Sequence, residues 1–271
     1  MDIPRIPTIF FRTPFQASKA RPEGAHVPAH SDCVADLNPN LTLIYDMELL
    51  FLVLLGLAVC VVCEKFVTAD KADVYVLAYL WDAEDCYENP TWYGCADPKD
   101  YWKKYFTIHG LWPQFSGGGY PSYCTDEAFN PASPEAVGLD DMYERWPNMQ
   151  AEEGSSDYDS FWEHEWTKHG TCSPLAQTTF FNTTMNLDAS YGTPSLVTSN
   201  IGGSVSASDL RNAMGGADNM ALLCENGKYL SGAYSCWSMD SNGYPDSLTT
   251  CPSDVQGEDT CTSSTVQIPE F

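Results

Sequence analysis

Positive charge is scarce in this chain. Its 271 residues include 13 lysines and arginines against 37 aspartates and glutamates, which gives a formal net charge of −24 at pH 7. An acidic surface repels polyanions and argues against nucleic-acid binding through a broad positively charged surface. Any polyanionic substrate must be held by a few local groups, or met at acidic pH, where carboxylates are partly protonated.

Apolar runs are short as well. The most apolar stretch, Leu49–Cys63, has fifteen residues without a charge, whereas a transmembrane helix needs about 20. Its length fits the apolar region of a secretory signal peptide. Met47 stands shortly before it, and Val67-Thr68-Ala69 offers a small-residue cleavage site. The preceding Met47-Glu48 lacks the positive charge that such signals usually carry.

Three regions follow from this pattern. Residues 1–46 are rich in proline and arginine, show no helical or strand period, and are predicted to be a disordered extension. Residues 47–69 are predicted to be a signal peptide, with an uncleaved signal anchor as the alternative. Residues 70–271 form the mature domain, which is long enough for one sizeable core. A cleaved signal predicts no stable membrane association.

Closely spaced cysteine pairs of the kind that hold zinc are absent from the mature domain. An even number of cysteines behind a secretory signal instead predicts four disulfides formed in an oxidising compartment, although spacing alone does not pair them. The eight cysteines are Cys86, Cys95, Cys124, Cys172, Cys224, Cys236, Cys251 and Cys261.

Histidine is rare, and two of the mature domain's histidines lie in the segment Phe161–Cys172. Read as a helix, at about 100° per residue, this segment places four titratable side chains within less than half of its circumference. Two imidazoles, an ammonium and a carboxylate that face one way suit acid–base chemistry on an anionic group. The four are His164, Glu165, Lys168 and His169.

A zinc hydrolase is the competing interpretation of these histidines. His164 and His169 stand at i, i+5, not at the i, i+4 spacing of the HExxH zinc motif, so they splay by about 140°. Lys168 between them would also repel a metal ion. We therefore predict no metal and no cofactor. If the protein were a zinc enzyme instead, a chelator would inhibit it.

The third histidine of the mature domain, His109, lies on a predicted strand, Tyr105–Leu111. Alternation along the strand puts His109 on the face opposite Phe106 and Ile108. Gly110 follows, where the backbone can pass close to a ligand. With a second histidine as its counterpart, His109 completes the general acid and general base that two proton transfers near pH 5–7 require.

Strand and helix patterns alternate without regular βαβ units, so the predicted class is α+β. Aromatic and apolar stripes mark the core, including Trp162 and Trp166, whereas Trp112 and Tyr120 are predicted to stack on bases instead of packing in the core. The predicted strands are 73–81, 105–111 and 220–224; the predicted helices start at Ser133 and Asp159 and cover 175–187 and 208–214; loops are expected at 82–99, 116–119 and 200–206, and a turn-rich tail from Gly243.

Two segments resemble the two active-site segments of the ribonuclease T2 family. They are Phe106–Pro113 (FTIHGLWP) and Phe161–Cys172 (FWEHEWTKHGTC), in that order. A weaker similarity extends over roughly residues 73–271. The resemblance implies an α+β fold with a central antiparallel sheet flanked by helices, in one disulfide-stapled domain. It also implies an endoribonuclease that cleaves single-stranded RNA through 2′,3′-cyclic phosphates, without a metal.

The resemblance also implies a role for each residue of the site. His169 resembles the base that takes the ribose 2′-OH proton, and His109 resembles the acid that protonates the leaving 5′-oxygen. Glu165 and Lys168 resemble the pair that stabilises the pentacoordinate transition state. His164 resembles a phosphate-binding residue. The substrate-binding positions at which bases stack or are selected are Trp112, Tyr120, Phe161 and Gln114.

Departures from the family pattern affect the expected base preference and not the chemistry. Leu80-Trp81-Asp82 replaces the common Gln-Trp-Pro after the first strand, and Gln114 stands where members vary. By resemblance, the implied disulfides are Cys86–Cys95, Cys124–Cys172, Cys224–Cys261 and Cys236–Cys251.

Further expectations concern the protein's setting. Asn182-Thr183-Thr184 is a glycosylation sequon, usable if the chain is secreted. We expect a monomer that is secreted or vacuolar/lysosomal, acts on single-stranded RNA and spares DNA, which lacks the 2′-OH. The alternative is a non-catalytic, disulfide-rich binding module of the same fold. Loss of His109 or His169 would favour that alternative, and both are present.

Overall fold

The computed structural model describes residues 71–271. The predicted N-terminal extension and signal peptide therefore lie outside the described residues. Within 71–271, no helix has both the length and the apolar character needed to cross a membrane.

Seven strands and nine α-helices make up the described part of the chain. The strands are β1 (Val74–Leu80), β2 (Thr107–Gln114), β3 (Ser204–Ser206), β4 (Met220–Glu225), β5 (Tyr229–Met239), β6 (Pro245–Leu248) and β7 (Thr265–Gln267). The helices are α1 (Asp82–Glu88), α2 (Tyr93–Ala96), α3 (Ala132–Val137), α4 (Leu139–Arg145), α5 (Ser160–Lys168), α6 (Gln177–Tyr191), α7 (Ser195–Thr198), α8 (Ala207–Ala213) and α9 (Ser253–Gln256). Short 3₁₀ turns cover Gly170–Cys172 and Ala217–Asn219.

The strands form one sheet in the order β2-β1-β5-β7-β3, with β4 and β6 also paired to β5. All pairs are antiparallel except the contact of β5 with β7. This arrangement confirms the predicted α+β class with a central antiparallel sheet. Strand β1 lies between β2 and β5, which explains its almost unbroken apolar sequence.

Alternation along β1 divides the interior into two cores. Tyr75, Leu77 and Tyr79 point into the main core, which the sheet shares with α4, α5 and α6. Val76 and Ala78 point the other way, into a smaller second core with Trp112, Tyr234 and Val255 of α9. The sheet is therefore covered on both faces, and the second core carries aromatic side chains from β2 and β5.

Strand β2 runs through Trp112-Pro113, where the sequence predicted its end. Pro113 pairs with Tyr75 of β1. Proline has no backbone N–H, so it removes one hydrogen-bond donor from the strand. Strand β2 tolerates this loss because β2 is the last strand at that end of the sheet order.

Several other predicted boundaries of helices, strands and loops were wrong. The expected loop 82–99 contains α1 and α2, the expected loop 200–206 contains β3, and the tail from Gly243 contains β6, α9 and β7. The helix expected from Ser133 starts at Ala132, with Pro131 as its N-cap, and breaks at Gly138, whose φ is +123°. The helix expected over 175–187 begins at Gln177 and continues to Tyr191.

Asp82, one of the departures from the family pattern, is fully buried at the start of α1. Its carboxylate accepts a hydrogen bond of 3.0 Å from the Thr107 hydroxyl. Burial, followed by the charge of Asp85, raises the pKa of Asp82 well above its usual range. Because Asp82 is buried and its pKa is raised, this departure from the family pattern affects the stability of the fold.

Four disulfides close the domain, and they are the four pairs implied by the family resemblance: Cys86–Cys95, Cys124–Cys172, Cys224–Cys261 and Cys236–Cys251.

Candidate active site

His109 sits at an irregularity in the pairing of β2 with β1. Ala78 pairs with Gly110, and the next residue, Tyr79, pairs with Ile108, so His109 is an extra residue without an opposite partner. Such a β-bulge bends the strand and redirects a side chain. Ile108 therefore stays in the main core while the imidazole of His109 leaves it, still 23% exposed.

Gly110 lets helix α5 approach β2 closely. A Cβ atom built on Gly110 would lie 2.0 Å from Glu165 Oε2 and 2.5 Å from Trp112 Nε1. Every other residue type would occupy the space that the Glu165 carboxyl fills. The sequence predicted that the backbone at Gly110 passes close to a ligand; in the structure, the group that lies against it is the Glu165 side chain.

Helix α5 packs one face in the main core and turns another face toward β2, as its sequence predicts. Trp162 and Trp166 are buried in the main core, and Glu165 is 1% exposed on the side that meets β2. Asp159 is the N-cap residue, although its side chain makes no capping hydrogen bond. The helix ends at Lys168, and His169 is its C-cap.

Gly170 begins the 3₁₀ turn that follows, and its role is close packing. A Cβ atom there would lie 2.3 Å from the Trp166 ring. The turn brings His169 back over β2, where it is 4% exposed.

Trp112 connects the catalytic candidates. Its Nε1–H donates a 2.7 Å hydrogen bond to Glu165 Oε2. Its ring stacks on His169 at a centroid distance of 5.0 Å, and the His109 ring meets its edge, also at 5.0 Å. His109 Nε2 is 3.6 Å from Glu165 Oε1. One tryptophan thus fixes the relative positions of two imidazoles and one carboxyl group.

Burial sets the protonation of this group. It raises the pKa of Glu165 to about 8, against the opposing effects of the Trp112 hydrogen bond and the Lys168 charge. It lowers the pKa of His109 to about 3, with further lowering by His164 and Lys168. Burial, followed by the charges of Lys168, His109 and His164, holds the pKa of His169 well below its usual range. Burial thus favours the neutral carboxyl of Glu165 and the neutral imidazoles of both histidines in the free site.

The remaining predicted site residues surround this centre. His164 is exposed and Lys168 half-buried, and each lowers imidazole pKa values in the site. The Phe161 ring lies 5.5 Å from His109, and the Tyr120 ring lies 6.4 Å from His169. Gln114 is only 1% exposed, so it lies behind the surface of the site.

The loop before α3 is tied to the end of α5. Cys124 is bonded to Cys172, and Tyr123 N–H donates to the Lys168 carbonyl at 3.0 Å. Tyr123 adopts a φ of +51°, a strained value for a residue with a side chain. These ties hold the stretch that begins at Tyr120 next to His169.

A cleft of about 590 Å³ opens beside Phe161 and His164. Sequence patterns did not predict its other walls, because they come from the α4–α5 connection and from the disulfide loop of α2, which carry no periodic signal. These walls include Tyr93, Asn148, Gln150 and Glu152. Asn182, the predicted glycosylation site, is exposed on α6.

Within residues 71–271, no three or more histidine, cysteine, aspartate or glutamate side chains are grouped so that they could hold a metal ion.

Comparison with known proteins identifies this architecture. The model of the ribonuclease T2 family matches residues 72–246, more than half of the chain. The chain belongs to the ribonuclease T2 family. Among curated members, it is 43% identical over 86 residues to ribonuclease 1 of Arabidopsis thaliana, covering 30% of this chain and 36% of that protein. It is 34% identical over 126 residues to intracellular ribonuclease LX of Solanum lycopersicum, covering 44% of this chain and 49% of the relative.

These alignments thus span less than half the length of the two T2 relatives. The fold extends further than the sequence similarity. The structure of RNase NT in complex with 5′-AMP covers 74% of this chain and 100% of its own, with a TM-score of 0.53 and 22% identity. At this identity the likeness establishes the shared T2 fold.

Proposed function

We propose that this chain is an endoribonuclease that cleaves single-stranded RNA by transphosphorylation through a 2′,3′-cyclic phosphate. The observation that carries the proposal is the placement of His109 at the edge and His169 on the face of Trp112, each ring 5.0 Å from the indole. An in-line displacement at phosphorus needs a base on the attacking oxygen and an acid on the leaving oxygen. Two imidazoles held against one aromatic ring meet that need.

In the first step, His169 takes the proton from the ribose 2′-OH. The anionic phosphate beside His109 favours the protonated form of its imidazole. The 2′-oxygen attacks phosphorus, the bond from phosphorus to the 5′-oxygen breaks, and His109 donates its proton to that oxygen. In the second step, a water oxygen attacks phosphorus while His109 takes its proton. The bond from phosphorus to the 2′-oxygen breaks and His169 returns a proton to that oxygen, which leaves a 3′-phosphate. Both histidines end in their starting states, and DNA, which lacks the 2′-OH, is not cleaved.

Glu165 acts in this scheme as a neutral acid. An ionised carboxylate would repel the negative phosphoryl oxygens, whereas a protonated carboxyl can donate a hydrogen bond to one of them. Burial raises the pKa of Glu165 to about 8, which keeps the proton in place under acidic conditions. Lys168 adds positive charge at the same edge, which offsets the general acidity of the chain, and the exposed His164 can donate a hydrogen bond to phosphate there.

The two catalytic histidines give the substrate a direction. The nucleoside that carries the attacking 2′-OH lies beside His169, where the partly exposed Tyr120 offers a stacking surface. Trp112 is only 4% exposed and its ring stacks on His169, so it supports this side of the site from behind. The leaving nucleoside lies beside His109, next to Phe161 and the 590 Å³ cleft. The complex of RNase NT with 5′-AMP supports nucleotide binding by a protein of this fold.

We further propose that residues 47–69 direct a mature domain, 70–271, into the secretory route as a monomer without a membrane anchor, for secretion or for a vacuole or lysosome. The four disulfides fit an oxidising compartment, and the exposed Asn182 fits glycosylation. Residues 1–46 are an extension without a part in the chemistry.

The test uses the full chain expressed in a eukaryotic secretory host, with the secreted protein purified and incubated with RNA and with DNA in EDTA. We expect RNA alone to yield 2′,3′-cyclic phosphate ends, and His169→Ala to lose more than ~10³-fold in kcat. Because burial and nearby cations lower both imidazole pKa values, kcat/KM should describe a bell on the acid side of neutral. RNA left intact would instead support the non-catalytic binding module, and loss of cleavage in EDTA would support the zinc hydrolase.

A further inference from the structure

The cleft beside Phe161 continues beyond the part of the site that the proposed reaction uses. Phe161 and His164 line it next to His109, whose ring lies 5.5 Å from that of Phe161. Another wall carries Tyr93, which comes from helix α2. Pockets of roughly 300–1,000 Å³ hold drug-sized ligands, so a cleft of about 590 Å³ is larger than one nucleobase requires.

Tyr93 is exposed but its backbone is firmly held. Its side chain is 53% exposed, the state of a ring that is available for stacking. The next residue, Gly94, donates a 2.9 Å hydrogen bond to the Met149 carbonyl, and a Cβ atom on Gly94 would lie 2.8 Å from Met149 Sδ. The disulfide Cys86–Cys95 closes the loop that carries Tyr93. These contacts fix helix α2 against the α4–α5 connection, so the ring stays at the cleft.

The α4–α5 connection gives the cleft a shaped polar wall. The Asn148 side-chain amide donates to the Tyr158 carbonyl at 3.0 Å, and its Oδ1 accepts from Gln150 N–H at 3.1 Å. Asn148 is therefore satisfied and serves to shape the wall. Ser155 Oγ, which also lines the cleft, is buried and has no hydrogen-bond partner within residues 71–271. A buried hydroxyl without a partner is costly, and the polar edge of a ligand would recover that cost.

The charge of the cleft disfavours phosphate. Its lining residues include the exposed carboxylates of Glu152 and Asp157 and no lysine or arginine. Lys99, the cation paired with the adjacent Glu153, is already neutralised by that carboxylate. A hydrogen bond to Glu152 is the largest cause that raises the pKa of Tyr93, so the phenol donates to this carboxylate. The cleft therefore suits a flat, uncharged group with polar edges, and a nucleobase is such a group.

We propose that Tyr93 is the stacking surface for a second nucleobase beyond the scissile bond. This base belongs to the nucleoside joined to the 3′-oxygen of the leaving nucleoside, and the inference rests on the proposed endoribonuclease function. The leaving base contacts Phe161, the next base enters the cleft as far as Tyr93, and the phosphate between them stays in solvent, away from the carboxylates. Stacking on an aromatic ring tolerates every base, so the benefit depends on substrate length and not on sequence.

The experiment compares kcat/KM of the secreted full-length protein on two substrates with a single cleavable bond. One is a cytidine followed by one deoxyuridine, and the other is a cytidine followed by two. Only the cytidine has a 2′-OH, so the bond after it is the one that breaks. We expect the wild type to cleave the trimer about tenfold more efficiently than the dimer. Tyr93→Ala should reduce that ratio about fivefold or more and leave the dimer within about twofold of wild type.

Two further variants separate stacking from other effects. Tyr93→Phe keeps the ring, loses the hydrogen bond to Glu152, and should keep most of the benefit of the longer substrate. Tyr87→Ala removes a tyrosine of the same disulfide loop that is 55% exposed and does not line the cleft. This matched control should leave both substrates unchanged.

The ratio of trimer to dimer decides the proposal. Stacking predicts that salt does not change it, whereas a bound phosphate would lower it about fivefold for each tenfold rise in salt concentration. A salt-dependent ratio, an equal loss on both substrates in Tyr93→Ala, or a ratio that this variant leaves unchanged would each overturn the role of Tyr93. Failure of the wild type to cleave either substrate contradicts the endoribonuclease proposal itself.

Discussion

At the scale of single residues, the site depends on a carboxyl group that water does not reach. Glu165 is 1% exposed, and its only hydrogen-bond donor among the described residues is Trp112 Nε1–H, which bonds Oε2 and leaves Oε1 free. Such burial favours the neutral carboxyl, and the pKa of about 8 expresses that preference. His109 is 3.6 Å from the free Oε1, so a proton on either group changes the charge that the other meets.

The neutral-donor role of Glu165 predicts an unusual order of variants. Gln imitates a protonated carboxyl, because its carbonyl can accept from Trp112 while its amide donates to a phosphoryl oxygen. We expect Glu165→Gln to keep kcat within about tenfold of wild type, and Glu165→Ala to lose about 10²–10³-fold. Steady-state kinetics on RNA at pH 5 measure both.

Glu163→Gln, on the exposed face of α5, is the control for removal of a carboxylate from this helix. If Glu165→Gln were as inactive as Glu165→Ala, the carboxylate itself would be the working form and the neutral-acid assignment would be wrong.

At the scale of elements, patterns among residues close in sequence predicted helices and strands, whereas features that depend on pairing between distant strands were not predicted. Strand β1 and helix α5 were recognised from apolar runs and i, i+4 spacing, and both site segments were found because their residues are close in sequence. The bulge at His109 was not predictable, since it arises from the pairing of β2 with a strand about thirty residues away. Strand β5 is not predictable from its sequence, because Gly232 and three serines interrupt its pattern and pairing on both sides is what stabilises it.

The contact between β2 and α5 predicts that Gly110 cannot be enlarged. In Gly110→Ala, the new methyl group would push the Glu165 carboxyl away from Trp112 Nε1. A displacement of about 1 Å in a catalytic group typically costs about 10²-fold in rate, which is the expected loss in kcat/KM. Gly117→Ala is the matched control, because nothing lies within 4 Å of a Cβ at that position. Equal activity of the two variants, with melting temperatures alike, would contradict the proposed importance of this contact.

At the scale of the whole molecule, charge and buried carboxyls favour acidic conditions. Burial raises the pKa of Asp85 to about 7, that of Glu165 to about 8, and that of Asp82 well above its usual range. In the unfolded chain such groups titrate near pH 4. Between that pH and the raised values, the folded protein binds more protons than the unfolded chain, so stability falls as pH rises. The net charge of −24 adds self-repulsion in the same direction.

The buried histidines oppose this trend at low pH. The pKa values of His109 and His169 are lowered, so below about pH 6.5 the unfolded chain binds protons that the folded protein does not, and stability falls as pH falls further. The two effects place the greatest stability at mildly acidic pH. We expect a melting temperature at pH 6 that exceeds the value at pH 8 by about 5 °C or more.

Asp82→Asn isolates one contribution to that difference. Asparagine keeps an oxygen for the Thr107 hydroxyl and removes a buried group that must lose its proton as pH rises. The variant should therefore gain stability at pH 8 and show a smaller difference between pH 6 and pH 8. Asp246→Asn changes the net charge equally at an exposed position and should keep the wild-type difference. Thermal denaturation of the three proteins at both pH values distinguishes the cases: if the two variants behave alike, net charge and not the buried carboxyl sets the pH dependence of the fold.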